Sequence, residues 1–229
     1  MINIIDSIIP ISQNARPGTK RIIKWIVIHE TDNTSKGAGA KNHASYLMNV
    51  AKGGTTYVSW HYTVDSKEAY HHIPDDEVAW HAGDWGKDPV NGGNAAGIGI
   101  ELCVNSDGDF NKTMTNAAQL SAYLLKKYNL PISAMKQHFD FNSKNCPRTM
   151  RAQGLWQGFL NTVQNELNAI NPPSVENNYK MLYSNAVIDL KKANDNLTAE
   201  KARALILEQR LTSLQGAIGE IQKILANIK

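Results

Sequence analysis

The sequence predicts an α/β domain built on one mixed β-sheet flanked by helices, followed by a long coiled-coil helix. Three observations carry that prediction. An apolar, β-branched run at residues 22–28 (Ile-Ile-Lys-Trp-Ile-Val-Ile) stops abruptly at His29-Glu30-Thr31, as a buried strand does on reaching a sheet edge. Strand-like and helical segments then intersperse as far as residue 170, the pattern of an α/β domain with one central sheet. Beyond Asn171-Pro-Pro-Ser-Val-Glu-Asn-Asn178 the chain holds no proline, and apolar residues recur at spacings of three and four.

Residues 41–51 set Ala44, Leu47, Met48 and Ala51 at helical spacing, and Gly53-Gly54 ends that helix. Thr55 to Asp65 reads as a strand or hairpin arm. Ala96 to Val104 reads as a further strand, whose two glycines permit close backbone approach. Residues 115–128 read as a helix capped by Thr115 that buries Leu120, Leu124 and Tyr128. Residues 151–170 read as another, with Leu155, Phe159, Val163 and Leu167 on one face. The expected domain spans residues 1–171, a semi-rigid linker 172–180 and a helical tail 181–229.

The tail's seam runs from Tyr183 to Ile228, and only Glu200 interrupts its apolar character. A seven-residue frame kept in phase over that length predicts a coiled coil and self-association. The alternative is a helix folded back onto the first domain, which usually carries a wider apolar stripe.

The bulk charge excludes some classes. The net charge is +3, with 16 basic against 15 acidic residues over 1–173 and 8 against 6 over 174–229. Neither part has the basic excess of a nucleic-acid binder. No stretch approaches the length of a membrane span. Two cysteines, Cys103 and Cys146, are too few for a disulfide scaffold and leave one disulfide or a thiolate ligand. The segment Met1–Asp6 lacks a basic region and Pro10 interrupts the apolar run, so no signal peptide is expected and synthesis is expected in the cytoplasm.

Seven histidines occur, at 29, 43, 61, 71, 72, 81 and 138. A lone histidine is usually structural, but His29 directly follows a buried strand, where side chains emerge at a sheet edge. His138 and Cys146 lie eight residues apart in the polar segment Lys136–Pro147, which can fold both groups onto one ion. Two imidazoles and a thiolate suit Zn2+ with a fourth position open. No CxxC or HExxH reinforces that reading.

Five segments carry a family resemblance: Ile26-Val-Ile-His-Glu-Thr-Asp-Asn33, Ser59-Trp-His-Tyr-Thr-Val-Asp65, Val78-Ala-Trp-His-Ala-Gly-Asp84, Ile98-Gly-Ile-Glu-Leu-Cys103, and His138 with Ser143-Lys-Asn-Cys-Pro147. In this order, over residues 2–165, they resemble the motifs of type-2 N-acetylmuramoyl-L-alanine amidases of phage endolysins and autolysins, relatives of peptidoglycan-recognition proteins. The resemblance implies zinc-dependent hydrolysis of the amide between N-acetylmuramic acid and L-alanine in peptidoglycan. It makes His29, His138 and Cys146 the zinc ligands, Glu101 the general base and acid, and Lys144 the oxyanion stabiliser. Some relatives carry a tyrosine where this chain has Trp60, so Glu101 must handle the proton; by strand alternation Tyr62 shares the side of Trp60 and is a possible substitute.

His61 and His81 fall in motifs expected to line the cleft, contacting substrate or supporting neighbours. Trp85 is expected to offer substrate an apolar wall. Cys103 is expected to pack as a small hydrophobe. The competing function is a module that binds peptidoglycan without cutting it; such relatives typically lose the cysteine ligand, which this chain keeps. Without a signal peptide, action on the wall after release as a phage or prophage endolysin is expected, the alternative being an autolysin exported by an unusual route.

Overall fold

The computed structural model describes residues 2–84, 87–170 and the helical backbone of 175–226, with that helix's side chains described from Tyr183 to Glu220. The chain divides into two compact units, Met1–Pro172 and Pro173–Lys229.

In the first unit the order is β1 (Ile4–Asp6), β2 (Trp25–Glu30), α1 (Ala40–Gly53), β3 (Tyr62–Val64), β4 (Ala69–His71), α2 (Gly93–Ala96), β5 (Gly97–Leu102), α3 (Phe110–Lys127), β6 (Met135–Gln137), α4 (Phe139–Asn142), α5 (Arg148–Ala152) and α6 (Trp156–Ile170). The six strands form one sheet in the order β1-β4-β3-β5-β2-β6. Only β3 and β4 run antiparallel; every other neighbouring pair is parallel. The sheet is mixed, as the sequence predicts.

The alternation of β2 and β5 sorts their side chains by face. Ile26, Ile28, Ile98, Ile100 and Leu102 are fully buried against Leu120 and Leu124 of α3 and Phe159 and Val163 of α6. Each such side chain contributes about 1.5–3 kcal/mol through burial. The opposite face bears Val27, His29, Gly97, Gly99 and Glu101. Near β3, Leu47 of α1 packs in a second, smaller cluster with Trp60, Ile73 and Ala79.

Several expected boundaries move. Residues 22–24 lie outside the strand and Ile22 is 77% exposed, because pairing with β5 begins at Trp25 opposite Gly97. Only Tyr62–Val64 of the expected arm 55–65 is a strand. Helix α3 starts at Phe110, where the Asp109 side chain caps it by accepting from the Lys112 N–H at 3.0 Å. Thr115, expected as the cap, instead bonds the Asn111 carbonyl inside the helix. The helix expected over 151–170 is broken at Gln153-Gly154, with Gly154 left-handed at φ 66°.

In the second unit, α7 (Val175–Ala226) is a single helix, so its start falls within the segment expected as linker. Its described seam residues are exposed, including Tyr183, Leu190, Leu197, Leu207, Leu211 and Ile218.

One buried carboxylate ties β3 to α3. Asp75 accepts from the Tyr62 hydroxyl at 2.7 Å, the Tyr128 hydroxyl at 2.6 Å and Lys127 Nζ at 2.8 Å. Although burial opposes ionisation, these bonds and His71 hold its carboxyl far below the usual range. Removing it strands two hydroxyls and a cation, so Asp75→Ala should cost about 3 kcal/mol in urea unfolding at pH 7. A depressed carboxylate stabilises above its unfolded pKa of about 4 and loses that contribution as pH falls. The parent–variant difference should therefore shrink below pH 4.

Candidate active site

Strand β2 pairs in parallel with β5 on one side and β6 on the other, so the carboxyl ends of all three finish at one edge. His29, near the end of β2, stands opposite Glu101 of β5 in register. His138 directly follows β6, and its N–H donates to the Ile28 carbonyl at 3.2 Å. The chain then turns through α4, with Ser143 left-handed at φ 63°. It folds back so that the Cys146 carbonyl accepts from the Phe139 N–H at 3.1 Å. The Glu30 carboxylate accepts from the Thr149 and Met150 N–H groups, each at 2.8 Å. That carboxylate pins the start of α5, and with it the neighbouring Cys146, to the end of β2.

These constraints gather three donors. His29 Nδ1 lies 3.0 Å from His138 Nδ1 and 3.9 Å from Cys146 Sγ, and all three ligand atoms fall within 4.8 Å of one another. The three residues are 1%, 4% and 5% exposed. Glu101 Oε1 is 4.0 Å from His29 Nδ1, while its buried Oε2 has no hydrogen-bond partner.

Burial dominates the electrostatics. It pushes His29 well below its ordinary pKa, with His81 and His138 adding repulsion. It lowers His138 to about 4, with Lys144 adding to the effect. It raises the Cys146 thiol to about 12 and the Glu101 carboxyl to about 8, the latter against the pull of Lys144. Neutral imidazoles with two Nδ1 atoms this close need a proton or a cation between them. Tetrahedral zinc, with bonds of about 2.0–2.1 Å to nitrogen and 2.3 Å to sulfur, sets N···N near 3.3 Å and N···S near 3.6 Å. The two spacings from His29 differ from these by only a few tenths of an ångström, and the donor set fits zinc.

Glu101 and exposed Lys144 line one cleft of about 550 Å³ together with Glu30, His43, Tyr46 and Trp60. The cleft therefore brings a buried carboxyl and an ammonium to the edge of the donor cluster.

The family model for N-acetylmuramoyl-L-alanine amidase matches residues 18–149, a span that holds all three donors, Glu101 and Lys144. The chain belongs to the N-acetylmuramoyl-L-alanine amidase family. It is 37% identical over 211 residues to the amidase CwlH of Bacillus subtilis (strain 168), covering 90% of this chain and 79% of that protein. It is 44% identical over 151 residues to the amidase XlyA of the same organism, covering 66% of this chain and 48% of XlyA. A solved mutant endolysin from Bacillus subtilis superposes with a TM-score of 0.65 at 42% identity, covering 71% of this chain and 99% of that one.

Within this amidase-family fold, two expected cleft histidines turn inward. His61 is fully buried. Its Nδ1 accepts from the Gly99 N–H at 3.0 Å, and its Nε2 lies 2.9 Å from the Glu77 carbonyl. His81 is 7% exposed and spans from the Gly97 carbonyl to His29. Both rings spend their nitrogens on neighbours, and Gly99 of β5 leaves the room that the His81 ring fills. Trp85 lies outside the described residues.

Tyr62 does not share the side of Trp60. The strand begins at Tyr62, so alternation does not extend back to Trp60, and the Tyr62 hydroxyl is committed to Asp75. Trp60 joins the cleft wall, its Nε1 donating to Thr63 Oγ1 at 2.6 Å and its ring stacked with Tyr46. Cys103 is buried and free, with Sγ 3.9 Å from His43 Nδ1, and is not in the donor cluster.

The sequence reading missed Glu30, the clamp on the cysteine segment, although an acid directly after His29 at the end of an apolar strand is a visible signal. It also missed Asn94, whose Oδ1 accepts from the His81 and Ala82 N–H groups at 2.8 and 2.7 Å.

A carboxyl raised to about 8 in the fold binds its proton more tightly than in the unfolded chain. Glu101 thus contributes stability below its unfolded pKa of about 4.3, and that contribution is lost as pH rises toward 8. In metal-free protein, Glu101→Gln should therefore raise stability at pH 8 by on the order of a few kcal/mol relative to parent. The two should converge near pH 4.5 in thermal or urea melts.

Proposed function

We propose that this chain is a zinc-dependent amidase that hydrolyses the bond between N-acetylmuramic acid and L-alanine in bacterial peptidoglycan, and so lyses cell walls. The observation that carries the reading is the buried trio His29, His138 and Cys146 with Glu101 in register beside it. The relatives' names and the likeness to an endolysin support the substrate and an endolysin role.

His29, His138 and Cys146 would hold the ion, whose bound chemistry supplies Lewis-acid polarisation of the scissile carbonyl and a more acidic water. Glu101, with its unpartnered Oε2, takes the proton from the attacking water and passes it to the leaving L-alanine nitrogen. Lys144 opposes the negative charge that develops on the carbonyl oxygen, an effect worth roughly 3 kcal/mol for one donor. Tyr46 and Trp60 wall the cleft beside them. The non-catalytic alternative is disfavoured because Cys146 is retained and buried against the two imidazoles.

The tail supports self-association. Exposed leucines and isoleucines along one seam of α7 gain burial against a second copy of the same helix. Linked catalytic units would then bind a polymeric wall with avidity.

Purified Gram-positive walls treated with zinc-loaded protein should release free stem peptides and leave intact glycan, read by mass spectrometry. Chelator should abolish the release. Glu101→Gln should keep stoichiometric zinc while losing about 10²–10⁴-fold in rate, and Cys146→Ser should lose the zinc as well. Released peptides that still carry sugar would contradict the assigned bond. In sedimentation at micromolar concentration the full chain should run as an oligomer, and a chain lacking residues 180–229 as a folded, active monomer. A monomeric full chain would refute the coiled coil.

A further inference from the structure

Among the described buried side chains that the reaction does not consume, His81 bonds directly to the donor cluster through its ring. Its ring sits between two fixed points. Nε2 lies 3.0 Å from the Gly97 carbonyl oxygen, and Nδ1 lies 3.0 Å from His29 Nε2. A carbonyl oxygen can only accept, so His81 Nε2 carries the proton and the Nδ1 of the neutral ring offers a lone pair. His29 Nε2 must then be the donor. That leaves His29 Nδ1 bare, and this is the nitrogen facing His138 Nδ1 and Cys146 Sγ. The opposite tautomer would set a hydrogen where the ion belongs.

We propose that His81 is a positioning residue that fixes the tautomer of His29 and thereby aims its Nδ1 lone pair at the metal. The proposal rests on the zinc reading of the same site.

The surroundings are built to hold that ring. Its backbone N–H and that of Ala82 both donate to Asn94 Oδ1, at 2.8 and 2.7 Å. The His29 and His81 rings meet edge to face, with centroids 5.0 Å apart and planes at 90°. A Cβ on Gly99 would come within 2.8–3.0 Å of three His81 ring atoms, so only glycine at this strand position leaves room for the imidazole. The Gly99 N–H in turn donates to His61, whose ring packs against His81 at 80° with centroids 5.8 Å apart. The glycines of β5 and the histidines of two separate motifs thus serve a single end, the orientation of one ligand.

The test uses the full chain stripped of metal. Imidazole ¹⁵N shifts should show His29 in the Nε2–H form in the parent and a mixture of tautomers in His81→Ala. Competition with a chromophoric chelator should show zinc affinity about 10–100-fold weaker in His81→Ala. His81→Asn should recover much of that loss, because its side-chain oxygen can accept where Nδ1 did. A purely structural histidine would lower the melting temperature without changing the His29 tautomer or favouring Asn over Ala. Parent protein with His29 in the Nδ1–H form overturns the proposal without any variant. Zinc affinity in His81→Ala equal to parent overturns it as well. Failure of the parent itself to bind zinc would instead count against the zinc reading, and the tautomer would still decide the role of His81.

Discussion

The parallel pairing of β2 with β5 and β6 is the constraint on which the rest of the structure depends. Parallel neighbours end on the same side, and here the ends carry His29, Glu101 and, one residue on, His138. A slip of one residue in β2 would turn His29 toward α3 and α6 and set an isoleucine at the donor cluster. The fully buried Ile26 and Ile28 resist that slip, since it would carry them out of the cluster they form with α3 and α6. The hydrophobic effect on one face of the sheet therefore fixes the chemistry on the other.

The cluster is costly to assemble. Two imidazoles held neutral, a thiol pushed up to about 12 and a carboxyl with an unpartnered oxygen are all buried within a few ångströms. The fold offsets this with rigid supports: the Glu30 clamp on α5, the Asn94 bridge to residues 81 and 82, and the Asp75 knot between β3 and α3. Each joins residues of different segments, 12 to 120 positions apart, so the site is a property of the packed unit and not of any one motif. A cation with a fourth open position would relieve most of the strain and leave Glu101 free to move protons.

Much of this was legible in the chain. The apolar run ending at His29 placed that imidazole at a sheet edge, and the eight-residue spacing of His138 and Cys146 let both groups gather beside it. The roles proposed for Glu101 and Lys144 rest on family resemblance, because an acid in a strand and a lysine in a loop have commonplace uses. What escaped depends on direction. His61 and His81 stood in recognisable motifs that left substrate contact and support of neighbours open, and the room that Gly99 of β5 leaves for the His81 ring is nothing a local pattern reveals. Tyr62 was set beside Trp60 by alternation, but alternation holds only inside a strand, and the strand starts at Tyr62. The cap moved from Thr115 to Asp109 because the first turn of α3 carries polar Asn111 and Lys112, which hide its periodicity.

Zinc K-edge X-ray absorption on the metal-loaded full chain tests the central claim most directly. The account predicts stoichiometric zinc with one sulfur at about 2.3 Å and three lighter donors at about 2.0–2.1 Å, two of them imidazoles. A shell of oxygen and nitrogen alone, or no bound zinc after loading, would contradict it.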